Sequence, residues 1–289
     1  MKKKVVLNSP RLLELRRKKH KTARKKMVII FVFLLIIVSS ISFASRLSMF
    51  NINKINITGN SIVEKNDIEN IVKKDLTGHY LWLFPKTNFL IYPKHKIISD
   101  LSFNLKRLKD ISININNFKL MEVNVSEYEG KYLWCGSSLP LAESSSNQKC
   151  YFMDTNGYVF DEAPYFSGEV YFKFYGAEGP SDVNPTGTYY MKDKFAKIIE
   201  FKNTLEKLNI KTTAFWLDEN KENANFGISR QEELGPKIIF RVNDDYSTLS
   251  ENLQASIFTE PLRSDLRNKL SSLLYLDLRF GNKVYYKFK

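Results

Sequence analysis

The chain is poor in the residues that most enzymes use. Its 289 residues include only three histidines, His20, His79 and His95, and only two cysteines, Cys135 and Cys150. No Ser/His/Asp arrangement, metal-ligand cluster or phosphate-cradling Gly-rich loop can be assembled from it. Two cysteines with no nearby histidine cannot fill a tetrahedral zinc shell. Asp244-Asp245 and Asp161-Glu162 are sequence neighbours. On a strand neighbours point to opposite faces, so these pairs read as solvated turns, not as acid/base machinery. The expectation is a protein with no catalytic residue, no metal, no cofactor and no small-molecule substrate.

Acid is scarce in one place. Residues 1–26 hold twelve Lys or Arg and a single acid, Glu14, whereas the other 263 residues hold 32 bases and 30 acids. The net charge of +13 therefore belongs almost entirely to a basic tail. A nucleic-acid binder spreads its charge over the folded part, and this tail has no Phe, Tyr or Trp for base stacking. No nucleic-acid partner is expected.

Directly after the tail comes an uncharged run, Met27 to Ala44, MVIIFVFLLIIVSSISFA. As a helix it covers about 27 Å, close to the ~30 Å hydrocarbon core of a bilayer. Lys/Arg flanking a span stay in the cytoplasm, so the prediction is one transmembrane helix at 27–44 with the N-terminus inside and the C-terminus outside. A cleaved signal peptide is the competing reading, since Ser42-Phe43-Ala44 fits the small-x-small rule; the long positive region and the apolar character through Ile41 and Phe43 argue against it. In both readings the rest of the chain is extracytoplasmic.

Residues 49–128 read as one module. Ile52 to Ile57 alternates as a half-buried strand does, and Gly59-Asn60 is a turn pair able to take positive φ. Ile68, Ile71, Val72 and Leu76 share a helical face that Gly78 caps. An aromatic-rich connection, His79 to Tyr92, precedes a second helix from Pro93 to Arg107 with Ile97, Ile98, Leu101 and Leu105 inward. Ile111, Ile113 and Ile115 alternate, as do Val123 and Val125. The order is strand, helix, helix, strand, strand. With the opening ITGNSIVEKNDIENIV it resembles a POTRA domain, and the resemblance implies polypeptide binding through a sheet edge. The last strand, Val123 to Tyr128, is the expected edge. Two glycosylation patterns, at Asn56 and Asn124, fall inside strands and read as chance.

Residues 129–289 read as a mixed, β-rich domain with helices on its sheet, so the whole is α+β. Lys131 to Cys135 is a strand, and Cys150 closes the Ser-rich loop after it. Thiols outside the cytoplasm tend to oxidise, which predicts a Cys135–Cys150 disulfide, with free buried thiols as the alternative. Asp154-Thr155-Asn156-Gly157 opens like a calcium loop but lacks the later acidic positions, so it reads as a hairpin turn. Further strands are expected at 170–174, 210–217, 226–229 and 237–242, with a polar turn at 218–225, and helices at 191–209, 249–258 and 261–273. At the end, Leu274, Leu276, Leu278 and Phe280 alternate with polar residues, Gly281-Asn282 signals a two-residue turn, and Val284, Tyr286 and Phe288 alternate again. A strand at the end of a chain often lies at a sheet edge. Asp277 and Arg279 share a face and can form a surface ion pair.

A basic tail, one span, a POTRA-like module, a D-x-x-G-x-V-F hairpin (Asp154 to Phe160) and the closing Tyr275-to-Phe280 strand of YLDLRFGNKVYYK together resemble the FtsQ/DivIB family of bacterial cell-division proteins. Two departures stand out. Glu127-Tyr128-Glu129-Gly130 replaces the family's E-R-x-P segment, and the cysteine pair is not part of the general pattern. The resemblance implies an uncleaved anchor at the cell-membrane septum and a non-enzymatic scaffold that binds FtsB/DivIC-like and FtsL-like proteins and other divisome components. Carried onto this chain, the family's partner contact is Phe280, Gly281, Asn282, Lys283, Val284, Tyr285 and Tyr286. The alternative class is a POTRA-bearing, polypeptide-binding protein of a secretion or envelope-assembly system.

Overall fold

The computed structural model describes residues 10–139, 148–166, 168–176, 178–228, 235–269 and 272–289. These form a mixed α+β structure that divides into two compact units. The first is the chain up to Asn104 together with Asp110–Ser126; the second is Leu105–Lys109 with Glu127–Lys289.

Helix α1 runs over Pro10–Ser45. It begins well before the apolar run, because Leu, Arg and Lys are good helix formers and proline suits the first helical position. The basic segment from Pro10 onward is thus helical and continuous with the apolar run. From Arg17 to Ser45 it is long and apolar enough to cross a membrane. Its large apolar side chains are exposed all round, with Phe33 at 61% and Phe43 at 73%. A helix apolar on every side needs an apolar surrounding.

The first unit then places β1 (Lys54–Thr58), α2 (Lys65–Leu76), a small hairpin of β2 (His79–Tyr80) and β3 (Phe84–Pro85), α3 (Lys94–Asn104), β4 (Leu108–Asn116) and β5 (Leu120–Glu127). The hairpin lies inside the segment that the sequence presents only as a connection. Ile68, Val72 and Leu76 of α2 and Ile97 and Leu101 of α3 are buried with Ile57, Ile113, Met121 and Val123 of the strands. The sheet order is β1-β5-β4, with β5 parallel to β1. This corrects the expected edge. The strand containing Val123 is central, because β5 inserts between the other two, and the open edges are β1 and β4.

The second unit is built on a ten-stranded sheet. Its strands are β6 (Tyr132–Trp134), β7 (Cys150–Met153), β8 (Tyr158–Ala163), β9 (Lys173–Tyr175), β10 (Thr188–Tyr189), β11 (Ala214–Leu217), β12 (Asn223–Gly227), β13 (Lys237–Arg241), β14 (Leu273–Phe280) and β15 (Lys283–Phe288). Helices α4 (Phe195–Lys207), α5 (Tyr246–Ile257) and α6 (Leu262–Lys269) complete it. The core is aromatic. Phe174, Phe195, Phe201, Phe215, Phe226 and Phe240 are almost fully buried, and ring pairs such as Phe201–Phe226, 5.8 Å between centroids, link helix to sheet. Each such ring removed to alanine costs about 3–5 kcal/mol.

Several boundaries differ from the sequence reading. The strand expected at 170–174 is β9, starting at Lys173. Part of the expected polar turn at 218–225 is strand, because Asn223 and Asn225 pair with Arg241 and Ile239. Residue 229 lies outside the described residues. The helix expected to reach 273 is α6, ending at Lys269, and Leu273 instead opens β14. Helix α5 starts earlier than expected, at Tyr246, where Asp245 caps it by accepting from the Ser247 N–H.

Cys135 and Cys150 form a disulfide with Cα atoms 4.1 Å apart. The reason is register. β6 and β7 pair antiparallel with Trp134 opposite Tyr151, so the next residues outward, the two cysteines, face each other. At the Asp154 turn the buried carboxylate accepts from the N–H groups of Asn156 and Tyr158, both at 2.8 Å. It is used as a turn acceptor, as the hairpin reading expects.

Candidate partner-binding edge

The sheet of the second unit ends in β10 on one side and β15 on the other. β10 has two residues and is too short to template a strand. β15 has six, and it pairs only with β14. Its outer backbone N–H and C=O groups face no strand among the described residues.

Local chemistry explains how this edge is held. Gly281 opens the turn at φ +67°, a value that suits glycine. Asn252 of α5 donates its side-chain amide to the Gly281 carbonyl at 3.1 Å, tying the turn to the helix below. Val284, Tyr286 and Phe288 point inward and pack on the core cluster. Lys283, Tyr285 and Lys287 point outward. At the far end the Lys289 N–H donates to the Ser272 carbonyl at 2.8 Å.

β14 carries a register shift between Asp277 and Phe280. At this bulge Arg279 folds back on Asp277. Its Nε donates to Oδ1 at 2.9 Å, its Nη2 to Oδ2 at 2.6 Å, and its backbone N–H to Oδ1 at 3.1 Å. The expected surface pair is corrected, because the Asp277 side chain is only 7% exposed and that of Arg279 31%. The bonds to Asp277 raise the Arg279 guanidinium above its already high range. The Arg279 guanidinium also lies 5.8 Å from the Phe280 ring, which meets Tyr285 edge-on at 5.1 Å. Phe280 and Tyr285 are about half exposed, at 52% and 49%.

Of the seven residues singled out in the sequence, Phe280, Gly281, Asn282, Lys283 and Tyr285 lie on the outer surface of this hairpin, while Val284 and Tyr286 face inward. An added strand would meet the β15 backbone and the outward side chains. The edge is also basic. β15 and Lys289 carry three lysines and no acid.

The first unit has a second open edge. Beside β1 lies a groove of about 990 Å³, lined by β1, by Glu69, Lys73 and Leu76 of α2, and by Pro85. Sequence reasoning missed it because it placed β5 at the edge. Among the described residues, no cluster of three or more His, Cys, Asp or Glu is arranged to hold a metal ion. No protein-family model matches the chain, and no curated protein is similar to it.

Proposed function

We propose that the chain is a non-enzymatic, membrane-anchored scaffold of the FtsQ/DivIB type, working at the division septum of a bacterial cell. In this reading α1 is an uncleaved single-pass anchor with its basic end in the cytoplasm. The β-α-α-β-β unit is a POTRA domain, and the sheet beyond it binds FtsB/DivIC-like and FtsL-like division proteins. The observation that carries the reading is the open edge at β15. The closing residues that resemble the family's partner contact form the one long, unpaired strand edge of the large sheet among the described residues. Strand addition there supplies main-chain hydrogen bonds, while the outward Phe280, Lys283, Tyr285 and Lys287 select the partner.

The test is capture of a co-produced FtsB/DivIC-type protein by the full chain. Truncation after Phe280 removes β15 and abolishes capture. Because truncation also exposes β14, Phe280→Ala/Tyr285→Ala is tested beside it; both rings are half exposed, so the fold is retained and capture weakens. Undiminished capture by both variants would remove β15 as the binding edge. A fluorescent fusion that spreads evenly over the membrane of dividing cells, with no band at midcell, would count against the septal role.

A further inference from the structure

The tip of the β2–β3 hairpin is built in an unusual way. Its two central residues, Leu81 and Trp82, both have positive φ, +48° and +62°. The Leu83 N–H donates to the Tyr80 carbonyl at 3.0 Å, closing a β-turn with Leu81 and Trp82 at its centre within a three-residue connection. Turns with positive φ at both positions favour Asn-Gly, and bulky side chains there are strained. Such strain persists where surrounding structure or function holds it. Nothing in the first unit rewards it by burial, since Leu81 is 85% and Trp82 89% exposed.

The tip is bonded to the last turns of α1. Ser42 is the buried residue of the apolar helix, at 6% exposure, and its hydroxyl donates to the Leu83 carbonyl at 2.9 Å. Arg46 donates from Nη2 to the Trp82 carbonyl at 3.2 Å. A second loop is fixed to the same end, where the Asn88 amide donates to the Ser45 carbonyl at 3.2 Å. Leu90, 75% exposed, lies two residues further on.

Depth comes from these bonds. Along a helix of ~1.5 Å per residue, Ser42 lies about 10 Å from the midpoint of the Met27–Ala44 run, within the ~15 Å half-thickness of a hydrocarbon core. The turn bonded to it therefore sits at the outer boundary of that core. Backbone groups at that depth must be satisfied internally. The carbonyls of Tyr80, Trp82 and Leu83 each accept a hydrogen bond, from Leu83, Arg46 and Ser42. The arrangement offers lipid an apolar tip with three of its carbonyls paired, a Trp of the kind enriched at membrane interfaces, and an Arg able to reach headgroups.

The geometry points to a second membrane contact. The Leu81-Trp82 tip inserts into the headgroup–acyl boundary of the outer leaflet and clamps the first unit against the bilayer at the exit of α1. The inference rests on α1 being a membrane span, and the experiment separates the two. The full chain is reconstituted in phosphatidylcholine vesicles whose acyl chains are brominated near the carbonyl end. Trp82 emission is read as the difference between the parent and Trp82→Phe. A reporter for the helix is Ile36→Trp in the Trp82→Phe background, with lipid brominated near the chain end. The expected result is blue-shifted Trp82 emission that loses most of its intensity in brominated lipid and resists aqueous acrylamide. If the Ile36→Trp reporter is quenched by lipid and Trp82 is not, the clamp is overturned and the anchor stands. If neither is quenched, both fall. A Trp82 signal shielded from acrylamide but untouched by brominated lipid would mean that protein covers the tip, which also overturns the proposal.

Discussion

Replacing Arg279 with methionine isolates what fixes the terminal hairpin. The substitution keeps much of the length of the side chain and removes the partner of Asp277, a carboxylate only 7% exposed that accepts three bonds from Arg279. The backbone donor at residue 279 survives, so two of the three are lost outright. Breaking a fully buried pair from one side costs about 3–5 kcal/mol, and an exposed pair contributes about 0–1 kcal/mol. Here one partner is buried and the other about a third exposed, so solvent screens the loss and the expected cost is about 1–3 kcal/mol. For a domain of ~150–250 residues each kcal/mol moves Tm by ~2–4 °C, so a fall of about 2–12 °C is expected. Thermal unfolding of the full chain by near-ultraviolet circular dichroism reads the global effect. Hydrogen exchange of the β15 amides reads the local one, because the bulge held by this pair lies where β14 turns into β15. Asp277→Leu/Arg279→Met removes the stranded charge and recovers part of the loss, and the cycle of single and double variants gives the coupling. An Arg279→Met protein with parental Tm and parental β15 protection would refute the reasoning.

Two further outcomes test the framework beneath the sites. Gly59 sits at φ +85°, and a Cβ there would run into the Val125 carbonyl oxygen of the central strand; Gly59→Ala therefore destabilises the first unit by more than the ~1 kcal/mol of an ordinary glycine effect, read as lost amide protection in β1 and β5. Asp245, the cap of α5, has its carboxyl held below the usual value of 3.8 by hydrogen bonds from Thr248 and Ser247. A depressed folded pKa contributes stability that is complete above 3.8 and is lost as pH falls through the folded value. Protection of the first turn of α5 should fall over that acid range, and Asp245→Asn, which keeps a capping oxygen, should flatten the dependence.

Much of this was legible from local pattern. Ile68, Val72 and Leu76 announce α2 by their spacing, and the Gly281-Asn282 turn between two alternating runs announces the terminal hairpin. The disulfide is expected from compartment chemistry alone. The features that escaped have a common cause: they are decided by contacts distant in sequence. Val123 and Val125 alternate as an edge strand would, yet β5 is central because β1, some 66 positions earlier, pairs with it in parallel. β12 shows no alternation, since Ala224, Asn225 and Phe226 are all buried and both faces of the sheet are covered there. The polarity of Asn223 and Asn225 therefore read as a turn. Asp277 reads as a surface acid until the bulge of β14 lets Arg279 fold back over its carboxylate and bury it. The Leu81-Trp82 tip carried one visible signal, two bulky apolar residues in a short connection, whose meaning appears only when the tip is seen bonded to Ser42.

An open edge of six residues invites any strand, a second copy of itself included. The composition of β15 works against that. Antiparallel pairing of two copies centred on Tyr285 sets Lys283 opposite Lys287 twice over, and like charges directly opposite are destabilising. β15 itself carries no acid to relieve them, and Asp277, opposite Tyr285 on β14, is already engaged by Arg279. A strand with Asp or Glu at the facing positions gains where a second copy loses, and specificity is this difference. In the proposed role, the lysines that disfavour self-pairing also define the strand the edge would accept: extended, apolar enough to lie along Phe280 and Tyr285, and acidic where it passes Lys283 and Lys287. The Asp277–Arg279 bulge and the Gly281 turn, tied to α5 through Asn252, already hold those outward residues in place, so strand addition of the kind proposed would leave less ordering to be done.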